Sequence, residues 1–126
     1  MTKKVIQTDA APKAVGPYSQ AIDTGSLVFC SGQIAIDPSA NEVLNVSVKE
    51  QTERVMKNIQ AVLKTAGLDF SHVMKTTIFL TDMKDFATVN EVYASYFQQP
   101  YPARSTVAVA GLPKGVNVEI EVTAAR

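Results

Sequence analysis

The C-terminal quarter of the chain, YPARSTVAVAGLPKGVNVEIEVTAAR, constrains the fold more than any other stretch. It holds two alternating segments on either side of a turn rich in glycine and proline, a pattern that predicts two β-strands. Side chains on a strand alternate between its faces, so Arg104 shares a face with Thr106. On the second strand, Glu119 and Glu121 point away from the aliphatic residues. If the strands are neighbours, a guanidinium and one or two carboxylates meet away from the main core, and these groups can bind a small acid and position a water.

The rest of the chain adds four strands and two helices to this pair. Alternating and β-branched residues predict strands over 5–7, 19–23, 27–33 and 73–80. The resulting order, β-β-β-α-β-α-β-β, favours an α+β fold: a two-layer sandwich in which a mixed six-stranded sheet carries two helices on one face. No repeat, linker or change of composition divides the chain, so residues 1–126 are expected to form one domain.

Both predicted helices carry boundary signals. Apolar residues at three- and four-residue steps predict a helix that begins after Ser47, has Glu50 at the capping-box position and ends before Gly67. The stretch before it, residues 38–45, is expected to be a loop. The second helix is expected over 86–97, with Asp82 or Asp85 as its cap.

The second face of the sheet is expected to carry the polar residues of the C-terminal strands together with apolar ones. We expect the helices to leave uncovered the face with Arg104, Thr106, Ala108, Glu119 and Glu121. A half-apolar sheet face is usually buried in an oligomer. The sequence therefore predicts a closed homo-oligomer whose functional site lies in clefts between subunits.

Charge and composition argue against several classes of function. The 12 lysines and arginines balance the 12 aspartates and glutamates, so no nucleic-acid or membrane-surface partner is indicated. One cysteine, Cys30, and one histidine, His72, provide neither an internal disulfide nor a histidine-based metal site. Cys30 is expected to be an inert core thiol. The N-terminus lacks the apolar region of a secretory signal, and the apolar runs are too short for a bilayer, which favours a cytoplasmic protein.

Several ordered segments resemble one family. GPYSQA, FCSGQI, VMKTTIFLTDMKDFATVNEVYASYF, PARSTVAVAGLPK and VEIEVTA are similar to segments of the RidA (YjgF) reactive-intermediate deaminases, and the resemblance runs from about Pro12 to Ala125. It implies a chorismate-mutase-like homotrimer with a small-acid site in each cleft between subunits. The implied activity is hydrolysis of 2-imino acids and enamines, of the 2-aminoacrylate and 2-iminobutanoate type, to 2-keto acids and ammonia. It implies neither a cofactor nor a metal.

The resemblance also assigns roles to particular residues. Arg104 matches the residue that grips the substrate carboxylate, and Glu119 matches the carboxylate that orients the hydrolytic water. The implied substrate-binding residues are Tyr18, Ser31, Gly32, Phe86, Asn90 and Thr106. Thr106 stands where many members have cysteine, and Gly111 stands where many have a second arginine.

The same residues could instead have purely structural roles. Arg104 could pair with Glu119 or Glu121 across strands and only stabilise an oligomer. Tyr18 could be a packed turn aromatic, and Ser31 with Gly32 could form a simple bulge.

Two other functions compete with imine hydrolysis. A regulatory protein that binds 2-keto acids without turnover would use the same arginine. An RNA-directed role is reported for some relatives, but the zero net charge and the lack of a basic, aromatic stripe argue against it.

Overall fold

The computed structural model describes residues 2–126 and has two layers, a mixed six-stranded sheet and two helices on one of its faces. The strands of this sheet are β1 (Lys4–Ile6), β2 (Ala21–Asp23), β3 (Leu27–Gln33), β6 (Val73–Leu80), β7 (Ala103–Ala108) and β8 (Val118–Ala125). A separate hairpin consists of β4 (Ile36–Asp37) and β5 (Glu42–Val43), and the helices are α1 (Val48–Thr65) and α2 (Phe86–Ala94). The predicted α+β sandwich is confirmed.

The sheet order is β1-β2-β3-β8-β6-β7, and all neighbours are antiparallel except β6 and β7. A parallel pair needs a crossover connection, and α2 supplies it. The two C-terminal strands are therefore not direct neighbours, because β6 lies between β7 and β8. This inserted strand separates Arg104 from Glu119.

Helix α1 has the boundaries that its sequence predicts. The Oγ of Ser47 accepts a hydrogen bond from the backbone N–H of Glu50, and Gly67 follows the helix with a φ of +79°. Its apolar side packs against the sheet through residues that are at most 1% exposed: Val55, Met56, Ile59, Val62 and Leu63. Full burial of each such side chain contributes about 1.5–3 kcal/mol.

Helix α2 is shorter than predicted and ends at Ala94 instead of residue 97. After Ala94 the backbone makes tighter i→i−3 hydrogen bonds, from Tyr96 to Tyr93 and from Phe97 to Ala94. The turn places the Phe97 ring 5.2 Å from that of Phe70. Packing of these aromatic rings accounts for the early end of α2. Helical periodicity along the sequence does not indicate this contact.

The β4–β5 hairpin occupies part of the segment predicted to be a loop. Asp37 accepts hydrogen bonds from the backbone N–H groups of Ser39 and Asn41, at 2.9 and 2.7 Å. Asn41 adopts a φ of +55°, a conformation that asparagine tolerates better than most residues. The chain thereby reverses within four residues, and only two residues pair on each side.

The prediction that Arg104 and Thr106 face away from the helices is wrong. The buried residues Thr76 and Ile78 of β6 point toward the helices, and they are the register partners of Arg104 and Thr106. Glu119, by contrast, is the partner of Phe79 on the uncovered face. Alternation fixes which residues share a face of one strand, but it does not fix which face the helices cover.

The uncovered face is partly apolar, as the sequence suggests. It exposes Val5, Leu27, Phe29 and Val107, each with at least 37% of its surface accessible. Burial of this face between copies of the chain stays a prediction. None of the helices within residues 2–126 is long and apolar enough to cross a membrane.

Candidate active site

Arg104 lies in a pocket of about 480 Å³ between α2 and the end of the chain segment that enters β7. Its Nη1 donates a hydrogen bond of 2.6 Å to Oδ1 of Asn90. Its Cζ lies 5.5 Å from the ring centre of Phe86 and 5.1 Å from that of Tyr93. Both distances are within the range of a cation–π interaction. The guanidinium is therefore held on two sides by neutral groups.

No carboxylate of residues 2–126 forms an ion pair with Arg104. Apart from the bond to Asn90, the guanidinium donates no hydrogen bond to residues 2–126, and Arg104 is exposed, so its other N–H groups are free donors. A planar guanidinium with fixed orientation and free donors binds a carboxylate in a bidentate manner. The pocket can therefore hold a small organic acid.

Helical spacing explains why α2 supports this arginine. Phe86, Asn90 and Tyr93 are separated by four and three residues, so they lie on one side of the helix. Tyr93 is fixed in turn by a hydrogen bond of 2.8 Å between its hydroxyl and that of Thr76. Burial raises the pKa of Tyr93, which keeps the phenol neutral beside the cation.

Thr106 lies two residues beyond Arg104 on the same face of β7. Its Oγ1 is buried and has no hydrogen-bond partner among residues 2–126. An unsatisfied buried hydroxyl costs about 1–3 kcal/mol. Thr106 is thus a polar residue close to Arg104 along β7 whose hydroxyl is unsatisfied among the described residues.

Glu119 lies in a second pocket, of about 570 Å³, on the uncovered face of the sheet. Its lining also includes Tyr18, Ser31, Gly32 and Glu121. The Glu119 carboxylate lies directly over Gly32, because a Cβ built at Gly32 would overlap Oε2. Glycine is needed here for the close approach of the carboxylate to the backbone.

A β-bulge in β3 forms the floor of the Glu119 pocket. Cys30 pairs with Val122 and Gln33 pairs with Ile120, so Ser31 and Gly32 together oppose the single residue Glu121. The backbone N–H of Ser31 donates to the Gln20 carbonyl at 2.9 Å, and its Oγ donates to the Ser19 carbonyl at 2.6 Å. The sequence allowed Ser31 and Gly32 to form a simple bulge. That bulge is present, and it also lines the Glu119 pocket.

Tyr18 lies at the rim of the Glu119 pocket and is 51% exposed. Its hydroxyl accepts a hydrogen bond of 3.3 Å from the backbone N–H of Val15. Behind it, the buried side chain of Gln20 donates to the carbonyls of Thr8, Ala11 and Pro12, which fixes the segment that forms one wall.

Burial raises the pKa of Glu119, and the negative charge of Glu121 raises it further. The cross-strand neighbour Phe79 and the backbone of Gly32 exclude water from two sides of the carboxylate. A carboxylate with a raised pKa is a stronger base than an exposed one. Cys30, as predicted, is buried, and burial raises the pKa of its thiol to about 12.

Comparison with known proteins identifies the family of the chain. The sequence profile of the family described as Endoribonuclease L-PSP matches residues 8–126. Protein DfrA of Myxococcus xanthus is 56% identical over 98% of this chain and 96% of its own length. The 2-iminobutanoate/2-iminopropanoate deaminase of Mus musculus is 48% identical over 97% of this chain and 90% of its own. This chain belongs to the RidA (YjgF) family.

A solved structure of a relative adds a ligand class to the comparison. The crystal structure of Escherichia coli TdcF with bound serine superposes with a TM-score of 0.94 and is 47% identical. The alignment covers 98% of this chain and 99% of that one. A small amino acid therefore binds to a protein of the same family and fold.

The residues that the RidA resemblance singles out fall into two groups in this chain. Phe86, Asn90, Arg104 and Thr106 lie on the helix side, whereas Tyr18, Ser31, Gly32 and Glu119 lie on the open side. The predicted meeting of Arg104 with Glu119 on one face is wrong within a single chain, because the sheet separates them.

Sequence reasoning missed the part that Tyr93 plays. Tyr93 is buried, as expected for an aromatic residue on the apolar side of α2, but its ring also supports Arg104. The three-residue spacing from Asn90 is the signal that could have revealed this contact. The described residues, 2–126, contain no group of three or more His, Cys, Asp or Glu that could hold a metal ion.

Proposed function

We propose that this protein hydrolyses 2-imino acids of the 2-iminobutanoate and 2-iminopropanoate type, and their enamine tautomers, to 2-keto acids and ammonia. The observation that carries the proposal is the Arg104 guanidinium, which is oriented by Asn90, Phe86 and Tyr93 and has free donors. Relatives with 46–52% identity that are named reactive intermediate deaminase or 2-iminobutanoate/2-iminopropanoate deaminase support this family activity.

The complete site requires a second copy of the chain. Each protomer offers an Arg104 pocket on one side of the sheet and a Glu119 pocket on the other. In a ring of copies with head-to-tail contacts, the Arg104 pocket of one protomer faces the Glu119 pocket of the next. We propose a homotrimer with three such clefts, and the partly apolar sheet face is consistent with burial at the centre of that assembly.

The chemistry needs few groups because the substrate is already electrophilic. Arg104 binds the substrate carboxylate and thereby orients the adjacent imine carbon. The imine reacts as its N-protonated iminium. Glu119 accepts a proton from a water molecule as the water oxygen bonds to that carbon and the C=N electron pair moves to nitrogen, which gives a carbinolamine. The carboxyl group then returns this proton to the nitrogen. The C–N bond breaks as the hydroxyl oxygen forms the C=O bond and its proton passes to the Glu119 carboxylate and from there to ammonia, so that ammonium and the keto acid are released. Well-placed proton transfer of this kind contributes about 10²–10⁴-fold.

The other predicted residues complete the cleft. The Ser31–Gly32 bulge and the Tyr18 ring border the space in front of Glu119, while Thr106 offers an unsatisfied hydroxyl beside Arg104. Neither a metal nor a cofactor takes part in any step of this scheme.

A regulatory protein that binds 2-keto acids without turnover is the alternative. The Arg104 pocket would serve it equally well, and the serine bound to TdcF shows that a family member holds a small acid. The raised pKa of Glu119 favours hydrolysis, because simple binding of an acid gains nothing from a carboxylate of increased basicity.

RNA cleavage, to which the family description Endoribonuclease L-PSP refers, is the weaker proposal. The single histidine, His72, accepts a hydrogen bond of 3.1 Å from the backbone N–H of Asp69 in a turn that borders neither the Arg104 nor the Glu119 pocket. The net charge is zero.

Release of ammonia and keto acid, from 2-iminopropanoate generated in situ by a dehydratase, tests the proposal. We expect the wild-type protein to accelerate release and Arg104→Ala to lose at least 10²-fold in kcat/KM. Lys57→Ala, on the outer side of α1, is the matched control. Binding of 2-oxobutanoate without any acceleration would instead select the regulatory alternative.

A further inference from the structure

The Glu119 pocket contains a second carboxylate that the proposed reaction does not use. Glu121 lies two residues along β8 on the same face, and it lines the same pocket. Alternate residues of a strand have Cα atoms about 7 Å apart, so the two carboxylates are close without sharing a proton. Glu121 is exposed, whereas Glu119 is half-buried.

We propose that Glu121 is a positioning residue for imine hydrolysis: its fixed negative charge beside Glu119 makes Glu119 the carboxylate of the pocket that carries the proton. This inference rests on the proposed function.

The surroundings of the two glutamates explain why they differ. Glu119 lies opposite Phe79 on one side and over Gly32 on the other, so water reaches it poorly. Glu121 lies opposite Thr77 on β6 and opposite the bulge on β3, where it remains accessible. A negative charge is more costly at the drier position. Glu119, at the drier position, is therefore the stronger proton acceptor.

Other titratable groups border the same pocket. Lys13 and Tyr18 come from the N-terminal segment, and Lys114 comes from the turn before β8. No lysine or arginine of residues 2–126 forms an ion pair with Glu119. In the assembled cleft, Arg104 of a neighbouring copy also faces Glu119, but the bound substrate carboxylate neutralises that charge. The influence of Glu121 is thus greatest in the substrate complex.

The direction of the effect follows from the causes of the shift. Burial raises the pKa of Glu119 most, and the charge of Glu121 adds to it. Removal of that charge lowers the pKa of Glu119. The acidic limb of the kcat profile then moves to lower pH, and kcat at neutral pH falls a few-fold because Glu119 becomes a weaker base.

The test compares Glu121→Gln with Glu121→Asp, which keeps the charge, and with Glu53→Gln, which removes a charge on α1. The pKa of Glu119 is measured directly by carbon NMR of its carboxyl group in the substrate-free protein. The pH dependence of kcat is measured with imine generated in situ. We expect Glu121→Gln alone to lower both the titration midpoint and the acidic limb, and we expect high salt to reduce the difference from wild type.

Two results would overturn the inference: an unchanged Glu119 titration in Glu121→Gln, or a shifted titration with an unchanged acidic limb of kcat. The inference would also be overturned if the acidic limb of kcat shifted in Glu121→Asp as it does in Glu121→Gln. Glu121 would then act through its packing and not through its charge. Failure of the proposed function looks different. In that case the wild-type protein releases no ammonia, whereas the NMR titration still reports the coupling of the two glutamates.

Discussion

Arg104 and Glu119 lie on opposite faces of one sheet, with β6 between the strands that carry them. Each is supported independently, Arg104 by side chains of α2 and Glu119 by a glycine in the β3 bulge. A single chain therefore holds two separate halves of the proposed acid-binding, water-activating site.

Gly32→Ala should disable the Glu119 half without unfolding the protein. The new Cβ would overlap Oε2 of Glu119, so the carboxylate must leave its place over the bulge. We expect kcat to fall about 10²-fold, as for other losses of a positioned catalytic group.

Gly111→Ala is the matched control for this change. A Cβ at Gly111 has nothing within 4 Å, and its φ is not in the left-handed region. We expect wild-type turnover from it. Equal losses in both variants would mean that Glu119 does not act from its position over Gly32.

Asn90→Ala should weaken substrate binding more than turnover. It removes the hydrogen bond of 2.6 Å that orients Arg104 and leaves the aromatic support in place. A hydrogen bond to a charged group contributes about 1.5–3 kcal/mol, so KM should rise about 10- to 100-fold.

Asn90→Asp provides a sharper version of the same test. The new carboxylate would pair with Arg104 and compete with the carboxylate of the substrate. Turnover should fall further than in Asn90→Ala. An Asp variant with normal KM would show that Arg104 does not bind the substrate.

The strands and the first helix were predictable because their signals are local. Residues 27–33 and 73–80 are strands as predicted, and the Ser47 cap and Gly67 set the ends of α1. The face occupied by Arg104 was not predictable, because it depends on β6 pairing between β7 and β8. Likewise, the end of α2 depends on contacts of Phe97 with Phe70, which lies in another part of the chain.

Asn58→Ala should destabilise the wall of the Glu119 pocket. Asn58 is fully buried, donates to the carbonyls of Ile34 and Ile36, and accepts from Nε of Arg54. Its removal leaves these groups unsatisfied, at a cost of about 2–4 kcal/mol in the free energy of unfolding. Chemical denaturation measures the loss, and Asn45→Ala, at an exposed position, should be neutral. A neutral Asn58→Ala would contradict this assignment.

The pair formed by Asp23 and Arg126 should make stability depend on pH. Arg126 donates a hydrogen bond of 2.6 Å to Asp23 and one of 2.7 Å to the Ala66 carbonyl, which ties β2 to the end of α1. The hydrogen bond from Arg126 lowers the pKa of Asp23 below its ordinary value of 3.8. The stabilisation is therefore present above that value and is lost as pH falls through the lower pKa of the folded state.

Thermal unfolding of Asp23→Asn and of the wild-type protein at several pH values tests this direction of the pH dependence. The variant should melt at a lower temperature at pH 7, and the difference should shrink as pH falls below 3.8. A difference that is constant from neutral to acidic pH would show that the carboxylate charge of Asp23 does not contribute.

Mixing two inactive variants tests the central claim most directly. Arg104→Ala keeps an intact Glu119 half, and Glu119→Gln keeps an intact Arg104 half. When equal amounts assemble at random into trimers, homotrimers included, each cleft receives both intact halves with a probability of about one quarter. The account predicts that each variant alone is inactive and that the mixture recovers about a quarter of wild-type imine hydrolysis. A mixture that forms mixed trimers by native mass spectrometry yet recovers no activity would contradict a site shared between protomers.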